Sequence, residues 1–423
     1  MNNTYLKNVA WLLGHRFLKI IINFAVGIYL TSYLGPLDYG LLNYCISVVI
    51  ILSFLTYLAY EEIIVKYLVS HPQEEGKVLG TAFVLRFIGA LVVVTLIGVY
   101  GNYIFLDPQQ KRIGFIIALS FIFSPFNVID FYFQSKVQSK YVAIASVVQT
   151  FIINIFRIIL ILIKAKLIFF VYVILLESIL TALFLSIFYL RKSLLVRWQF
   201  DFIWAKQLLR DSLPLVLAFF AASIMSRVDQ LILQDFVGIK AVGVYAFVIN
   251  MVDVLYQIPI VLAITFFPYF VSIRSVHEEK FHDSSLRFHS MLALSAYVIG
   301  FVLYIAASPL VTTFLGQGFL QSVAILKVYS ITFVFLFFNA ATIKFLLIDR
   351  LTGLLLVRTF VGALLNIALN FLFIPYYGVD GAVWAAVITF LFTGYLFDIF
   401  SSKTRKMFFI KTQALFLKPF LLK

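Results

Sequence analysis

The chain of 423 residues has little charge: 12% of its residues are Asp, Glu, Lys or Arg, whereas 63% are hydrophobic. Its mean hydropathy is +1.04. Soluble globular proteins carry about 25% charged residues, so this balance excludes a soluble domain. The sequence therefore predicts an all-α polytopic membrane protein.

Cysteine and the motifs of catalytic sites are also scarce. Cys45 is the single cysteine, which excludes an intrachain disulfide and a cysteine metal cluster. His277, His282 and His289 fall in one segment that we expect to be a solvated loop, and their spacing fits no zinc site. The sequence contains no HExxH, Walker or GxSxG motif. We therefore expect a protein that is not an enzyme and that holds no metal or cofactor.

Apolar segments of the roughly 20 residues needed to cross a bilayer occur about twelve times. Their predicted limits are 9–34, 41–60, 78–104, 113–133, 142–163, 167–190, 213–237, 241–270, 290–314, 323–347, 353–374 and 380–400.

The longest segment between spans, 191–212, mixes Trp, Phe and basic residues, a composition typical of an amphipathic linker at the membrane surface. It predicts a six-helix bundle over 1–190 and a second over 213–400, which Pro214 would start. The basic tail, 401–423, resembles an amphipathic segment lying on an anionic leaflet.

Two glycine-containing turns resemble each other half a chain apart. TSYLGPLDYGLLNY follows the first span, and QDFVGIKAVGVY follows the seventh. Gly238 and Gly243 keep the spacing of Gly35 and Gly40. This echo suggests an internal duplication, which is common among transporters. The alternative is that such turns recur in any polytopic protein.

The distribution of basic residues predicts the orientation. Of the 33 Lys and Arg residues, 20 lie in segments on the N-terminal side of the membrane, 5 on the opposite side and 8 within spans. By the positive-inside rule both termini are cytoplasmic. Topology thus explains most of the net charge of +14, and no nucleic-acid partner is expected.

Cations inside the spans cost several kcal/mol each unless they meet water or a partner. Lys327, Lys344 and Arg358 lie near span ends, where we expect them to snorkel to the interface. The other five intramembrane cations are Arg16, Lys19, Arg86, Arg157 and Arg227. If hydrated in a cavity, such a surplus makes a site for an anion such as phosphate.

Intramembrane acids are fewer, and the main ones are Glu177, Asp229 and Asp253. They could pair with the intramembrane bases in a structural network, and the sequence leaves this open. A further polar stripe, Gly362 with Asn366 and Asn370, is typical of helix–helix packing.

Three motifs carry a family resemblance: YLGPLDYGLLNY, FVGIKAVGVYAF and LNIALNFLFIPYYGVDGAVWAA. The chain resembles the polysaccharide transporter branch of the multidrug/oligosaccharidyl-lipid/polysaccharide exporter superfamily, and is similar to the Wzx-type O-antigen flippases. The resemblance implies a MATE-like fold, with two six-helix bundles around a central cavity. It also implies transport of undecaprenyl-pyrophosphate-linked oligosaccharide units across the bacterial inner membrane by alternating access.

The resemblance extends to residue roles and partners. The residues that would bind the pyrophosphate and acidic sugars are Arg16, Lys19, Arg86, Arg157 and Arg227. The candidates for ion coupling are Glu177, Asp229 and Asp253. Besides the lipid-linked oligosaccharide and the bilayer, a polysaccharide polymerase and a chain-length regulator are the implied partners.

Two other functions share some of these features. A MATE-type multidrug or cation antiporter would have the same fold, but its pore should favour aromatic and carboxylate side chains over arginines. A membrane glycan polymerase or ligase would share the lipid-linked substrate, but it should fold a sizeable external loop around its acceptor. Every predicted external loop here is short.

Overall fold

The computed structural model describes residues 3–105, 107–192, 197–274 and 278–418, with the side chains of all these except 3–13, 15–17 and 192. Every regular element in this part of the chain is an α-helix or a short 3-10 helix. The α-helices are α1 (Asn3–Leu52), α2 (Glu61–Ser70), α3 (Glu75–Ile104), α4 (Pro108–Ser120), α5 (Val128–Ser135), α6 (Lys140–Leu162), α7 (Leu167–Lys192), α8 (Phe202–Phe236), α9 (Ile239–Arg274), α10 (Glu278–Phe314), α11 (Gln321–Ile348), α12 (Thr352–Gly394) and α13 (Arg405–Leu415). The all-α prediction is confirmed.

Ten helical segments of the described chain are long and apolar enough to cross a membrane. The prediction of about twelve spans agrees with this number because two of the long helices each contain a pair of predicted spans. Helix α1 takes in 9–34 and most of 41–60, and α12 takes in 353–374 and most of 380–400. The chain is a multi-pass membrane protein.

A glycine breaks each of these two long helices at the junction between its spans. Gly35 in α1 has φ 69° and ψ 173°, and Gly378 in α12 has φ 56° and ψ −129°. Side chains disfavour such left-handed backbone, so glycine is the residue suited to both breaks. Pro36 and Pro375 lie beside these breaks and remove further backbone donors.

The chain forms two compact units. Unit 1 comprises Met1–Leu34 and Leu41–Ser223, and unit 2 comprises Gly35–Gly40 and Ile224–Lys423. The boundary between the units therefore falls inside α8. The division into bundles at 1–190 and 213–400, with a linker between, stays a prediction.

Pro214 does not start a helix, as the sequence had suggested, but lies inside α8. The helix begins earlier because Asp201 caps it: its Oδ1 accepts hydrogen bonds from the backbone N–H of Ile203 at 2.8 Å and of Trp204 at 3.1 Å. The second half of the expected linker is thus helical and continuous with the span that follows.

The helical part of this linker packs within unit 1. Trp204 is 6% exposed, and its Nε1 donates to Glu74 at 2.5 Å. Gln207 donates to the hydroxyl of Tyr67 at 3.0 Å, and that hydroxyl donates to Asp211. These bonds fix the start of α8 against α2 and the segment that follows α2.

The two similar glycine turns meet within unit 2. A Cβ added to Gly40 would lie 2.1 Å from the Ile239 oxygen, and one added to Gly243 would lie 1.9 Å from the Pro36 oxygen. Real Cβ atoms do not approach carbonyl oxygens so closely. The backbone contact between the two turns therefore requires glycine on both sides.

The histidine segment is not a solvated loop. His282 and His289 lie in α10, and His289 is fully buried, with its Nδ1 2.8 Å from the Ser285 oxygen. Its ring packs against Phe345, with ring centroids 5.0 Å apart. Helix α10 begins at Glu278, before the predicted start of its span at residue 290. Aromatic side chains of other helices pack against this added segment, and the local sequence gives no sign of these contacts. His277 lies outside the described residues.

Candidate functional site

An ion pair joins two spanning helices of unit 1. Arg157 on α6 and Glu177 on α7 approach to 2.9 Å between Nη2 and Oε2, and their side chains are 19% and 28% exposed. A short turn connects these helices, with Lys164 in the left-handed region at φ 55°. The antiparallel hairpin that results places the two charged side chains opposite each other within the apolar spans.

Further polar groups lie close to this pair along α1 and α6. Asn154, one turn before Arg157, donates to the Asn23 Oδ1 at 2.8 Å and so joins α6 to α1. Lys19 is half-buried and lies one turn before Asn23 on α1. The side chain of Arg16 lies outside the described residues. Unit 1 thus brings Arg157 and Glu177 together and places Lys19 on a neighbouring helix.

A second ion pair joins two spanning helices of unit 2. Arg227 on α8 and Asp253 on α9 approach to 3.2 Å between Nη2 and Oδ2. The Arg227 side chain is 15% exposed, whereas that of Asp253 is 47% exposed. A half-exposed carboxylate within an apolar span is costly against lipid, so this pair calls for contact with water or a polar ligand.

The chemistry of the second pair suits an anionic ligand. A guanidinium presents a planar fork of donors that matches phosphate oxygens, and one contact with Asp253 leaves other N–H groups of Arg227 available. The carboxylate neutralises the cation while no ligand is bound. An arriving phosphate can replace it.

Asp229 has a different environment from the other two acids. It is 3% exposed, and it accepts hydrogen bonds from the Tyr245 hydroxyl at 2.5 Å and from the Gln230 backbone N–H at 2.8 Å. The hydroxyls of Tyr245 and Tyr329 are 3.3 Å apart. The carboxylate thus ends a buried chain of hydroxyl groups in unit 2. No group of three His, Cys, Asp or Glu residues in the described chain could hold a metal.

Arg86 lies in the interior of unit 1, and the partners of its guanidinium described below are not candidate site residues. It is 1% exposed, and its Nη1 donates to the Ala59 oxygen at 3.0 Å. Its guanidinium lies over the rings of Tyr57 and Phe131, 5.0 and 5.3 Å from their centroids. These contacts hold the chain where it leaves the 3-10 segment after α1, so we interpret Arg86 as a structural residue.

Arg358 does not snorkel to the interface. It is 2% exposed, its Nε donates to the Thr393 oxygen at 2.6 Å, and its Nη2 donates to Asn339. The expectation was wrong because carbonyl groups at the C-terminal end of α12 supply acceptors inside unit 2.

The polar stripe of Gly362, Asn366 and Asn370 lies at a packed position, as its composition indicates: a Cβ on Gly362 would lie 2.6 Å from the Thr393 side chain.

Lys411 belongs to the basic tail that the sequence predicts to lie on the membrane surface, yet it is fully buried. Its Nζ donates to Thr342 at 2.5 Å, to the Gly394 oxygen at 2.7 Å and to Asp398 at 2.6 Å. Burial lowers the pKa of the Lys411 ammonium, while the Asp398 carboxylate opposes that shift. No local signal distinguishes this lysine from its exposed neighbours, because any lysine on an amphipathic helix can point outward.

Comparison with known proteins agrees with this architecture. The family model described as polysaccharide biosynthesis protein matches residues 5–274. No curated protein sequence matches the chain.

Among solved structures, an inward-facing multidrug resistance MATE family transporter of the MOP superfamily has a TM-score of 0.73 at 14% identity, covering 95% of this chain and 96% of its own. The lipid II flippase MurJ, in an inward closed conformation, has a TM-score of 0.73 at 16% identity, with coverages of 96% and 91%. A MOP superfamily transporter from Pyrococcus furiosus, for which a binding pocket of reverse polarity is described, has a TM-score of 0.65 at 14% identity, with coverages of 98% and 96%.

At identities of 14–16% these structures establish the fold alone. The family match shows to which family the chain belongs. The chain therefore belongs to the polysaccharide biosynthesis protein family and shares the fold of the MATE and MurJ structures.

Proposed function

We propose that the protein is a flippase for undecaprenyl-pyrophosphate-linked oligosaccharide units in the bacterial inner membrane, serving O-antigen or another surface polysaccharide. The observation that supports this most is the Arg227–Asp253 pair, an arginine inside a spanning helix beside a half-exposed carboxylate. The family match to polysaccharide biosynthesis proteins and the likeness of fold to the lipid II flippase MurJ agree with a lipid-linked substrate.

In this proposal Arg227 exchanges partners during transport. Without substrate, Asp253 neutralises the guanidinium, which avoids the roughly 3–5 kcal/mol that an unpaired buried charge costs. When the pyrophosphate arrives, its oxygens take over the guanidinium and release the carboxylate. Arg157 and Glu177 form a similar pair in unit 1 and would act in the same way, with Lys19 and Arg16 adding positive charge on α1.

Release of the carboxylates offers a route to ion coupling. A carboxylate that loses its arginine partner in a low-dielectric site gains affinity for a proton or a cation. Glu177 and Asp253 would change partners in this way, and Asp229, whose carboxylate accepts a hydrogen bond from the Tyr245 hydroxyl, would be a third proton acceptor. Alternating access would then expose the site first to the cytoplasmic and next to the periplasmic side.

The proposal also includes the orientation of the protein in the membrane and its partners. Both termini lie in the cytoplasm, as the distribution of basic residues predicts. A polysaccharide polymerase and a chain-length regulator would receive the exported units on the periplasmic side.

Substitutions at Arg227 test the proposal when membrane abundance and surface polysaccharide are measured together. We expect Arg227→Glu to abolish surface polysaccharide at normal abundance, and Arg227→Lys to keep partial activity, because it keeps the charge and loses the planar fork. Arg112→Glu, at an exposed arginine, is the matched control and should leave both readouts unchanged. Normal abundance with normal polysaccharide in Arg227→Gln would remove Arg227 from the site.

The exchange of the two charges separates a binding role from a structural one. The double variant Arg227→Asp with Asp253→Arg restores an ion pair but reverses its polarity. Under the proposal the double variant has normal abundance, as Arg227→Glu has, but makes no surface polysaccharide. Low abundance of Arg227→Glu, with abundance and polysaccharide both normal in the double variant, would show that the pair is only structural.

A MATE-type multidrug or cation antiporter is the second candidate, favoured by the fold match to a multidrug resistance MATE family transporter and by the buried Asp229. A deletion strain that becomes sensitive to cationic dyes while its surface polysaccharide stays normal would support this function over the flippase.

A further inference from the structure

A groove of about 520 Å³ lies beside the C-terminal helix, within unit 2. Its walls come from the end of α9, the start of α10, the end of α11 and the segment 398–410. The volume falls in the range of pockets that hold small organic molecules. None of the intramembrane ion pairs described above lines it, so the groove is separate from the proposed transport site.

The inner wall of the groove is apolar. Its hydrophobic lining residues are Phe281, Phe345, Leu346, Met407, Phe409 and Ile410. Phe409 is 57% exposed although it belongs to this wall. An aromatic side chain that is half open to the outside offers a hydrophobic contact for a chain entering from the surface.

The rim carries a positive charge that no acid of the lining balances. Each of the three lining carboxylates has its own cation: Glu278 pairs with Lys406 at 2.9 Å, Asp349 with Arg274 at 2.6 Å, and Asp398 with Lys411 at 2.6 Å. Among the described residues, neither Lys403, which lines the groove, nor Arg405, which follows it, belongs to an ion pair. Both are exposed.

The helix that forms this rim is firmly attached to unit 2. Lys411 bonds to α11, to the end of α12 and to Asp398, and Ile410 and Ala414 are buried on the same face. The Tyr297 hydroxyl donates to the Leu415 oxygen at 3.0 Å. The groove is therefore preformed, with a fixed basic rim and a fixed apolar wall.

We propose that this groove binds an anionic phospholipid of the surrounding membrane. The headgroup phosphate contacts Lys403 and Arg405, and one acyl chain packs along Phe409 and the apolar wall. The exposed aromatic side chains of Phe400 and Phe416, on either side of α13, are typical of a surface in contact with the interfacial region of a bilayer. A basic and aromatic surface of this kind favours anionic over zwitterionic lipid.

The test uses the purified full-length protein in detergent with phosphatidylglycerol or phosphatidylcholine of identical acyl chains. Native mass spectrometry gives the fraction of protein that retains each lipid. We expect several-fold greater retention of phosphatidylglycerol by the natural chain. Lys403→Gln with Arg405→Gln should remove this several-fold preference and leave phosphatidylglycerol retained about as well as phosphatidylcholine, because the preference comes from the two cations.

Two further variants separate the parts of the site. Lys164→Gln with Lys166→Gln removes the same charge from exposed positions in the turn between α6 and α7, and should leave retention unchanged. Phe409→Ser should weaken retention of both lipids, because the apolar wall contacts the acyl chain in either case.

Three results would overturn the proposal: equal retention of the two lipids by the natural chain, an equal loss in the Lys164 and Lys166 control, or displacement of phosphatidylglycerol by millimolar inorganic phosphate. The last would identify a site for free anions. The comparison of lipids on the natural chain does not depend on how well the variants fold. This comparison of lipids measures no transport, so its outcome is independent of the flippase proposal.

Discussion

Arg86 and Arg227 are both arginines inside apolar spans, yet their surroundings give them different roles. Arg86 donates to a backbone carbonyl and lies between two aromatic rings, at 1% exposure. Arg227 pairs with a carboxylate that is half exposed. The first arrangement is closed on all sides, whereas in the second we propose that a substrate phosphate replaces the carboxylate.

Substitution of Arg86 should therefore affect stability and leave chemistry intact. Arg86→Ala removes the two ring contacts and leaves the Ala59 carbonyl without its donor, at a cost of about 2–4 kcal/mol. We expect a clear drop in the Tm of the purified protein in detergent. Arg112→Ala, at an exposed arginine, should change the free energy of unfolding by no more than about 0.5 kcal/mol.

A normal Tm for Arg86→Ala, together with lost polysaccharide export, would contradict the structural interpretation. It would return Arg86 to the group of substrate-binding residues.

The sequence predicts which charged residues lie within the membrane, but it does not predict which groups bond to them. Arg157 and Arg227 have the acidic partners that the sequence left open. Arg358 and Lys411 bond to backbone carbonyls at the end of α12, Lys411 in addition to its pair with Asp398. Because every residue type possesses such carbonyls, the sequence does not predict that these two cations are buried.

At the scale of elements, the two glycine turns fit closely against each other. Gly40 and Gly243 lie where a Cβ would meet backbone within about 2 Å. Backbone atoms cannot yield as the end of a flexible side chain can.

Gly243→Ala should therefore force unit 2 to shift locally and destabilise it by about 1–3 kcal/mol. Gly27→Ala is the matched control, because a Cβ there meets nothing within 4 Å. We expect the control to be neutral or to stabilise by up to about 1 kcal/mol, as alanine favours helix. The measurement is the thermal stability of both variants in detergent, and equal stability would refute the close contact.

Most spans could be predicted at this scale because length and hydropathy decide them. The start of α8 could not, since it depends on the cap at Asp201 and on bonds from Trp204 and Gln207 to distant side chains. The buried position of His289 likewise depends on rings from other helices. Contacts between elements far apart in the chain decide such details.

At the scale of the whole molecule, orientation follows from the asymmetry of basic residues. We predict that reporter fusions after Lys192 and after Lys403 are cytoplasmic and that one at Lys240 is periplasmic. Alkaline phosphatase and fluorescent protein fusions measure this directly. A periplasmic signal from a fusion within 191–212 would contradict both the orientation and the predicted division into two bundles.

The most direct test of the flippase proposal measures transbilayer movement in vesicles that contain the purified protein. The readout is the fraction of a labelled undecaprenyl-pyrophosphate-linked oligosaccharide that becomes accessible to a membrane-impermeant reagent. We predict rapid movement with the natural chain and with Arg112→Gln, and movement at the protein-free level with Arg227→Gln. Movement by the natural chain no faster than in protein-free vesicles, or equal movement by Arg227→Gln, would contradict the proposal.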